Sequence, residues 1–144
     1  MAEIYGPRLS ALRLAEPAGL LAHRIALLGL DPAAEAGVHG KGGSVEPFLD
    51  GLAQGNLRGL VPPDRMAGAV RDGFRPNAVP ADLQAMIDEG RKGEAMLNAL
   101  LRLSAGTQGD LRAVTEGIAT LRAAGQEMAA RRIGLQLLIL DRRG

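Results

Sequence analysis

Cysteine is absent from this 144-residue chain, which removes disulfides, thiolate chemistry and thiol-ligated zinc from consideration. Tryptophan is absent as well, and Tyr5, Phe48 and Phe74 are the only aromatic residues. Strands draw on aromatic and β-branched side chains to fill a pleated surface. Here the apolar 47% comes mainly from Leu, Ala, Val, Ile and Met, a composition suited to close helix packing, so the expected fold class is all-α. Charge of one sign is also missing: 17 basic against 16 acidic residues leave a formal charge of +1. No like-charge block is longer than Arg131-Arg132 or Arg142-Arg143. A counterion-releasing nucleic-acid surface and a stacking platform for single strands are both excluded on these grounds. The longest strongly apolar run, Leu137 to Leu140, is far too short to span a bilayer. The opening Met1-Ala2-Glu3-Ile4-Tyr5-Gly6-Pro7 lacks the basic and apolar regions of a secretory signal, so a cytoplasmic location is the default unless the chain is a piece of a longer protein.

What is present is a 35-residue echo. Phe48, Leu83 and Ile118 share that spacing, and so do Gly55, Gly90 and Gly125. Each trio places an apolar residue seven positions ahead of a glycine, as expected of a helix that ends at a turn. Around this echo the periodicity predicts further helices. Pro7 opens a short one through Leu14, and from Pro17 the positions Leu20, Leu21, Ile25 and Leu28 form an amphipathic stripe that Gly29 stops. Gly37, Gly40, Gly42 and Gly43 mark a loop over 37–43. Ser44 is placed to cap a helix carrying Phe48, Leu49 and Leu52, and Pro62-Pro63-Asp64 resets the chain before a short helix through Met66 and Val70 to Gly73.

Residues 75–80, with two prolines, read as a connector between an irregular N-terminal half (1–75) and a regular half of helical hairpins (76–144) within one domain. In the second half Leu83, Met86 and Ile87 precede Gly90, then Met96, Leu97, Leu100, Leu101 and Leu103 build another apolar face. Asp110 caps a helix whose stripe is Leu111, Val114, Ile118 and Leu121. A last helix, from about 126 to 140, carries Ala129, Ile133, Leu137 and Leu140 on one face, with Met128, Leu135 and Ile139 toward another.

The segments Gly90-Arg91-Lys92-Gly93-Glu94-Ala95 and Gly125-Gln126-Glu127-Met128-Ala129-Ala130 resemble the tetratricopeptide turn, in which a glycine precedes by five positions an alanine on which the two helices of a hairpin pack. Leu100 with Leu135 and Leu103 with Leu138 extend the correspondence over residues 81–140. The tryptophan, tyrosines and closing proline of that family are missing, and Leu60 stands in the first copy where the small residue belongs. The resemblance implies stacked helical hairpins, as a short α-solenoid or irregular bundle, and a protein that binds other proteins or extended peptides along a concave face.

The wide apolar arc of the last helix points the same way: in an interface reading Met128, Leu135 and Ile139 are the contact residues and a homodimer is the simplest closed assembly. As a buried bundle helix the same residues would be core. The stretch His39-Gly40-Lys41-Gly42-Gly43-Ser44 looks like an anion-cradling loop, although Lys41 is not followed by Ser or Thr and Glu35 stands where a phosphate-binding loop needs its first glycine. His23 beside Arg24 reads as a solvated histidine, and Asp88, Glu89 and Glu94 read as a solvated helix end interleaved with Arg91 and Lys92. No residue qualifies as catalytic, metal-binding or cofactor-binding. The expectation is a non-enzymatic protein-interaction or scaffolding module without a cofactor. The alternatives are a small-molecule or anion-binding helical domain using His39, Lys41 and Ser44, and a C-terminal capping segment of a longer repeat protein.

Overall fold

A computed structural model describes residues 17–29 and 45–140 of the chain. Among them are seven α-helices and no strand, as the composition predicts: α1 (Ala18–Leu28), α2 (Glu46–Gln54), α3 (Arg65–Gly73), α4 (Ala81–Asp88), α5 (Lys92–Gly106), α6 (Leu111–Ala123) and α7 (Glu127–Leu140). The expected helix over Pro7–Leu14, the glycine loop 37–43 and the Ser44 cap lie outside the described residues.

The helix ends show local chemistry acting as the sequence suggests. Gly55, Gly90 and Gly125 all adopt the left-handed conformation, with φ of 74°, 81° and 88°. Each sits where α2, α4 and α6 stop, and each turn is closed by the same bond. The N–H of the following residue donates to the carbonyl four positions before the glycine: Asn56 to Gly51, Arg91 to Met86 and Gln126 to Leu121, all at 2.8 Å. A side chain with a Cβ resists that backbone conformation, which accounts for glycine at all three positions. At the opposite ends, Asp64 and Asp110 accept the N–H of Ala67 and Ala113 at 2.8 and 3.0 Å, capping α3 and α6.

Packing is organised around α6 and α7. Helix α6 lies against α3, α4, α5 and α7, while α7 also meets α1, α2 and α3. The predicted stripe of α6 points inward, with Val114, Ile118 and Leu121 buried and Leu111 half-buried. One core cluster joins Phe48, Leu49, Leu52 and Val70 to Ile118, Leu135 and Leu138, so residues on both sides of the 75–80 connector share it. The contacts of α7 with α1, α2 and α3 reach back over most of the chain, whereas repeats in a solenoid touch mainly their immediate neighbours. The first echo unit also departs from the others: Leu60 lies in the irregular segment after α2, while Ala95 and Ala130 are buried on helices.

The orientation of α1 corrects the sequence reading. Its buried face is Gly19, Ala22, His23, Ala26 and Leu27, and Leu21 from the predicted stripe is 61% exposed. His23 is not solvated: it is 5% exposed, with Nε2 2.7 Å from Asp50 Oδ1 on α2. Next to it Arg24 Nη2 donates to Glu46 Oε1 at 2.5 Å. The reason is that α2 presents two carboxylates, four residues apart on one face, to α1. The partner matters because a buried polar group is costly unless hydrogen-bonded, and Asp50 supplies that bond to the His23 imidazole.

Candidate interaction surface

On α5 the small and large apolar residues have changed the places the sequence reading gave them. Ala95, Ala99, Leu103 and Gly106 are buried, the last three beside Gly117 and Val114 of α6. Leu97, Leu100 and Leu101 are exposed at 65%, 48% and 70%. Helices α5 and α6 lie close together. A Cβ placed on Gly117 would lie 2.6 Å from Leu103 Cγ and 2.9 Å from the Ala99 carbonyl oxygen. One placed on Gly106 would lie 2.4 Å from Val114 Cγ2. The glycines give Leu103 and Val114 room to pack across the seam, and Leu97, Leu100 and Leu101 lie outside it. At about 100° per residue the apolar positions from Ala95 to Leu101 cover about two-thirds of the helix circumference, more than α6 alone can bury.

Helix α7 has a comparable arc. Ala130, Gly134, Leu135 and Leu138 face the core, with Leu52 and Val70 close against Gly134. Ile133, Leu137 and Leu140 point toward α5. Together with Leu100 and Leu103 they line an open groove of about 490 Å³. Its remaining lining groups are Ser104, Thr107 and Gln136, so among the described residues no charged side chain lines it. Thr107 Oγ1, just past the end of α5, donates to the Ser104 carbonyl at 2.7 Å.

Met128, Leu135 and Ile139 are therefore not brought together as one surface. Leu135 is fully buried in the core, Ile139 is half-buried against it, and only Met128 is exposed. This corrects the contact set: Leu135 faces the meeting of α7 with its neighbours and offers nothing to a partner. The face of Ile133, Leu137 and Leu140 is the one that opens to the groove. Sequence reasoning missed it by grading α7 alone. The available signal was that α5 and α7 each carry an apolar arc too wide for one neighbour. His39, Lys41 and Ser44 lie outside the described residues.

Several charged groups on and beside these helices pair with one another. Arg102 bonds both Glu116 and Asp82, the latter at 2.9 Å, and Arg112 Nε donates to Glu116 Oε1 at 2.8 Å. At the α4–α5 turn Arg91 pairs with Glu94 and Glu89 at 2.6 and 2.9 Å, and its hydrogen bond holds the Glu94 carboxyl below the ordinary carboxylate range. Glu127 is held low as well. Partial burial opposes its ionisation, but hydrogen bonds and charge from Arg122 and then Arg131 outweigh it. Among the described residues no group of three or more His, Cys, Asp or Glu is placed to hold a metal ion, and no helix is long and apolar enough to cross a membrane.

Comparison of the chain with protein-family models, with curated proteins and with solved structures finds no match.

Proposed function

We propose that this chain is a non-enzymatic protein-interaction module whose contact surface is the groove between α5 and α7. The observation that carries this reading is the apolar lining of that groove, where Leu100 of α5 and Leu140 of α7 are each 48% exposed beside Leu103, Ile133 and Leu137. Single exposed apolar residues are ordinary, whereas a contiguous apolar patch marks a binding surface. Covering the exposed parts of Leu100 and Leu140 contributes about 1 kcal/mol for each side chain. Association itself costs at least about 4 kcal/mol. The surface is thus suited to a weak, exchangeable contact. The tetratricopeptide resemblance of residues 81–140 supports the same class of function.

The test is site-specific photo-cross-linking in cells of the source organism, with the reactive residue at position 100 and, for comparison, at the exposed Arg65 on α3. A discrete protein adduct is expected from position 100, absent from position 65, and suppressed by Leu140→Glu in a chain that keeps its helix content. Equal adduct patterns from both positions, or none from position 100, would overturn the reading.

A further inference from the structure

At the α6–α7 turn two arginines reach from one carboxylate to the ends of two other helices. We infer that Glu127 is the pin of an ionic clasp: while charged it holds Arg122 and Arg131 against the C-terminal ends of α3 and α2, and on protonation both ends loosen together.

The geometry starts from one side chain. Glu127 is the first residue of α7, and its two oxygens are divided between two arginines. Oε2 accepts from Arg122 Nε, on the last turn of α6, at 2.8 Å, and Oε1 accepts from Arg131 Nε, one turn along α7, at 3.2 Å. Each guanidinium has another edge against a different helix. Arg131 Nη1 lies 3.5 Å from the Ala53 carbonyl oxygen in the last turn of α2, and a Cβ placed on Gly55 would stand 2.2 Å from Arg131 Nη2. Arg122 Nη1 lies 3.4 Å from the Gly73 carbonyl oxygen at the end of α3, with its guanidinium carbon 4.8 Å from the centroid of the Phe74 ring.

Both targets are places where a cation is favourable. The last carbonyls of a helix have no partner within it and carry the negative end of its dipole. Helix α2 has no basic residue in its own last turn, and Arg131 brings one from 78 positions away. At the end of α3, Arg71 and Arg75 are both paired with Asp72, which leaves Arg122 to face Gly73. Contacts of 3.4 and 3.5 Å are at the outer limit of hydrogen bonding, and a free arginine side chain loses rotamer entropy to make them. By bonding the Nε of each, Glu127 fixes both guanidinium groups at once.

The arginines are 29% and 22% exposed, so these pairs are screened less than pairs fully in solvent. The carboxylates of α2, Glu46 and Asp50, are engaged by Arg24 and His23 of α1. Arg122 and Arg131 also hold the Glu127 carboxyl below its ordinary range, so the clasp is closed at neutral pH and opens in acid, below the ordinary carboxylate pKa of about 4.3. It ties helix ends before the 75–80 connector to helices after it. None of its three charged members belongs to the core cluster, so it can open while the core stays packed.

The test is amide hydrogen exchange on the folded full chain at neutral pH, the parent against Glu127→Gln, which keeps the shape of the side chain and removes its charge. The reporters are N–H groups that close the two helix ends, Asn56 on Gly51 and Arg75 on Asp72; the control is Thr107 on Leu103 at the end of α5. Exchange at Asn56 and Arg75 is expected to rise together, by about two- to fivefold, the weight of a cation at a helix C-terminus, with Thr107 unchanged. Arg131→Met should release Asn56 alone and Arg122→Met should release Arg75 alone, and adding Glu127→Gln to either should change nothing more at the end already released. Should Glu127→Gln lose helix content, Glu127→Ser makes the same comparison. Unchanged exchange at both ends, or a rise at one of them only, overturns the clasp. A rise shared equally by Thr107 overturns it in favour of a general loss of stability.

Discussion

Replacing Gly117 by alanine tests whether the α5–α6 seam is closed to a side chain at that position. The new methyl group would lie 2.6 Å from Leu103 Cγ, 2.9 Å from the Ala99 carbonyl oxygen and 3.1 Å from Leu103 Cδ2. Leu103 can rotate, but the Ala99 oxygen belongs to the backbone of α5, so the helices must separate. Overpacking of this kind costs about 1–3 kcal/mol. Against it stands the helix propensity of alanine over glycine, a gain of about 1 kcal/mol in a helix interior. The net expectation is a loss of about 1–2 kcal/mol. Gly68 in α3 is the control, since a Cβ there meets nothing within 4 Å, and Gly68→Ala should gain up to about 1 kcal/mol. Urea unfolding followed by far-UV circular dichroism measures both, and an unchanged dependence on denaturant identifies the shift as one of stability. A Gly117→Ala chain as stable as the parent, or more so, would refute the argument that the seam is closed.

Two further substitutions separate core from surface. Leu135→Ala should cost about 2–5 kcal/mol because the side chain is fully buried, whereas Leu101→Ala, at a position 70% exposed, should change stability by less than about 0.5 kcal/mol; the same unfolding assay reads both. The Glu127 carboxyl, held low in the folded chain, binds its proton less readily there than in the unfolded chain. Its contribution is therefore present above the ordinary carboxylate pKa of about 4.3 and is lost as pH falls through the lowered folded value. Glu127→Gln should flatten the fall in stability between about pH 5 and pH 3, and an unaltered pH profile would show that the Arg122 and Arg131 contacts add nothing.

The parts of the fold legible in the sequence are those decided by local chemistry. Gly55, Gly90 and Gly125 end helices because only glycine accepts the left-handed turn there, and Asp64 and Asp110 begin them because a carboxylate satisfies a free N–H. The stripe of α6 was equally clear, since its large apolar residues fall on one side and charged ones on the other. Less legible were the faces of α1, α5 and α7, where burial depends on which neighbour arrives. Nothing local marks His23 as buried; the reason lies in Asp50 and Glu46, more than twenty residues away. Leu135 and Leu137 are similar as residues, and only the positions of α2, α3 and α5 make one core and the other groove lining.

The errors on α1 and α5 have one physical origin, and it also bears on the site. In both helices a stripe of large apolar residues competes with a stripe of small ones: Leu21 and its neighbours against Gly19, Ala22 and Ala26, and Leu97, Leu100 and Leu101 against Ala95, Ala99 and Gly106. A reading weighted by hydrophobicity assigns the leucines to the core. Helices that meet through alanine and glycine instead bring their backbones closer, and gain in close packing what they forgo in apolar area. Gly106 of α5 and Gly117 of α6 let the two helices approach until a Cβ on either would clash with Val114 or with Leu103 and the Ala99 carbonyl oxygen. Leu97, Leu100 and Leu101 are thus left outside the seam, where covering them would not disturb the α5–α6 contact. The stability of the module and the adhesiveness of its surface would then be set by different faces of the same helix, so that substitutions at Leu97, Leu100 or Leu101 can alter binding while the α5–α6 seam stays intact.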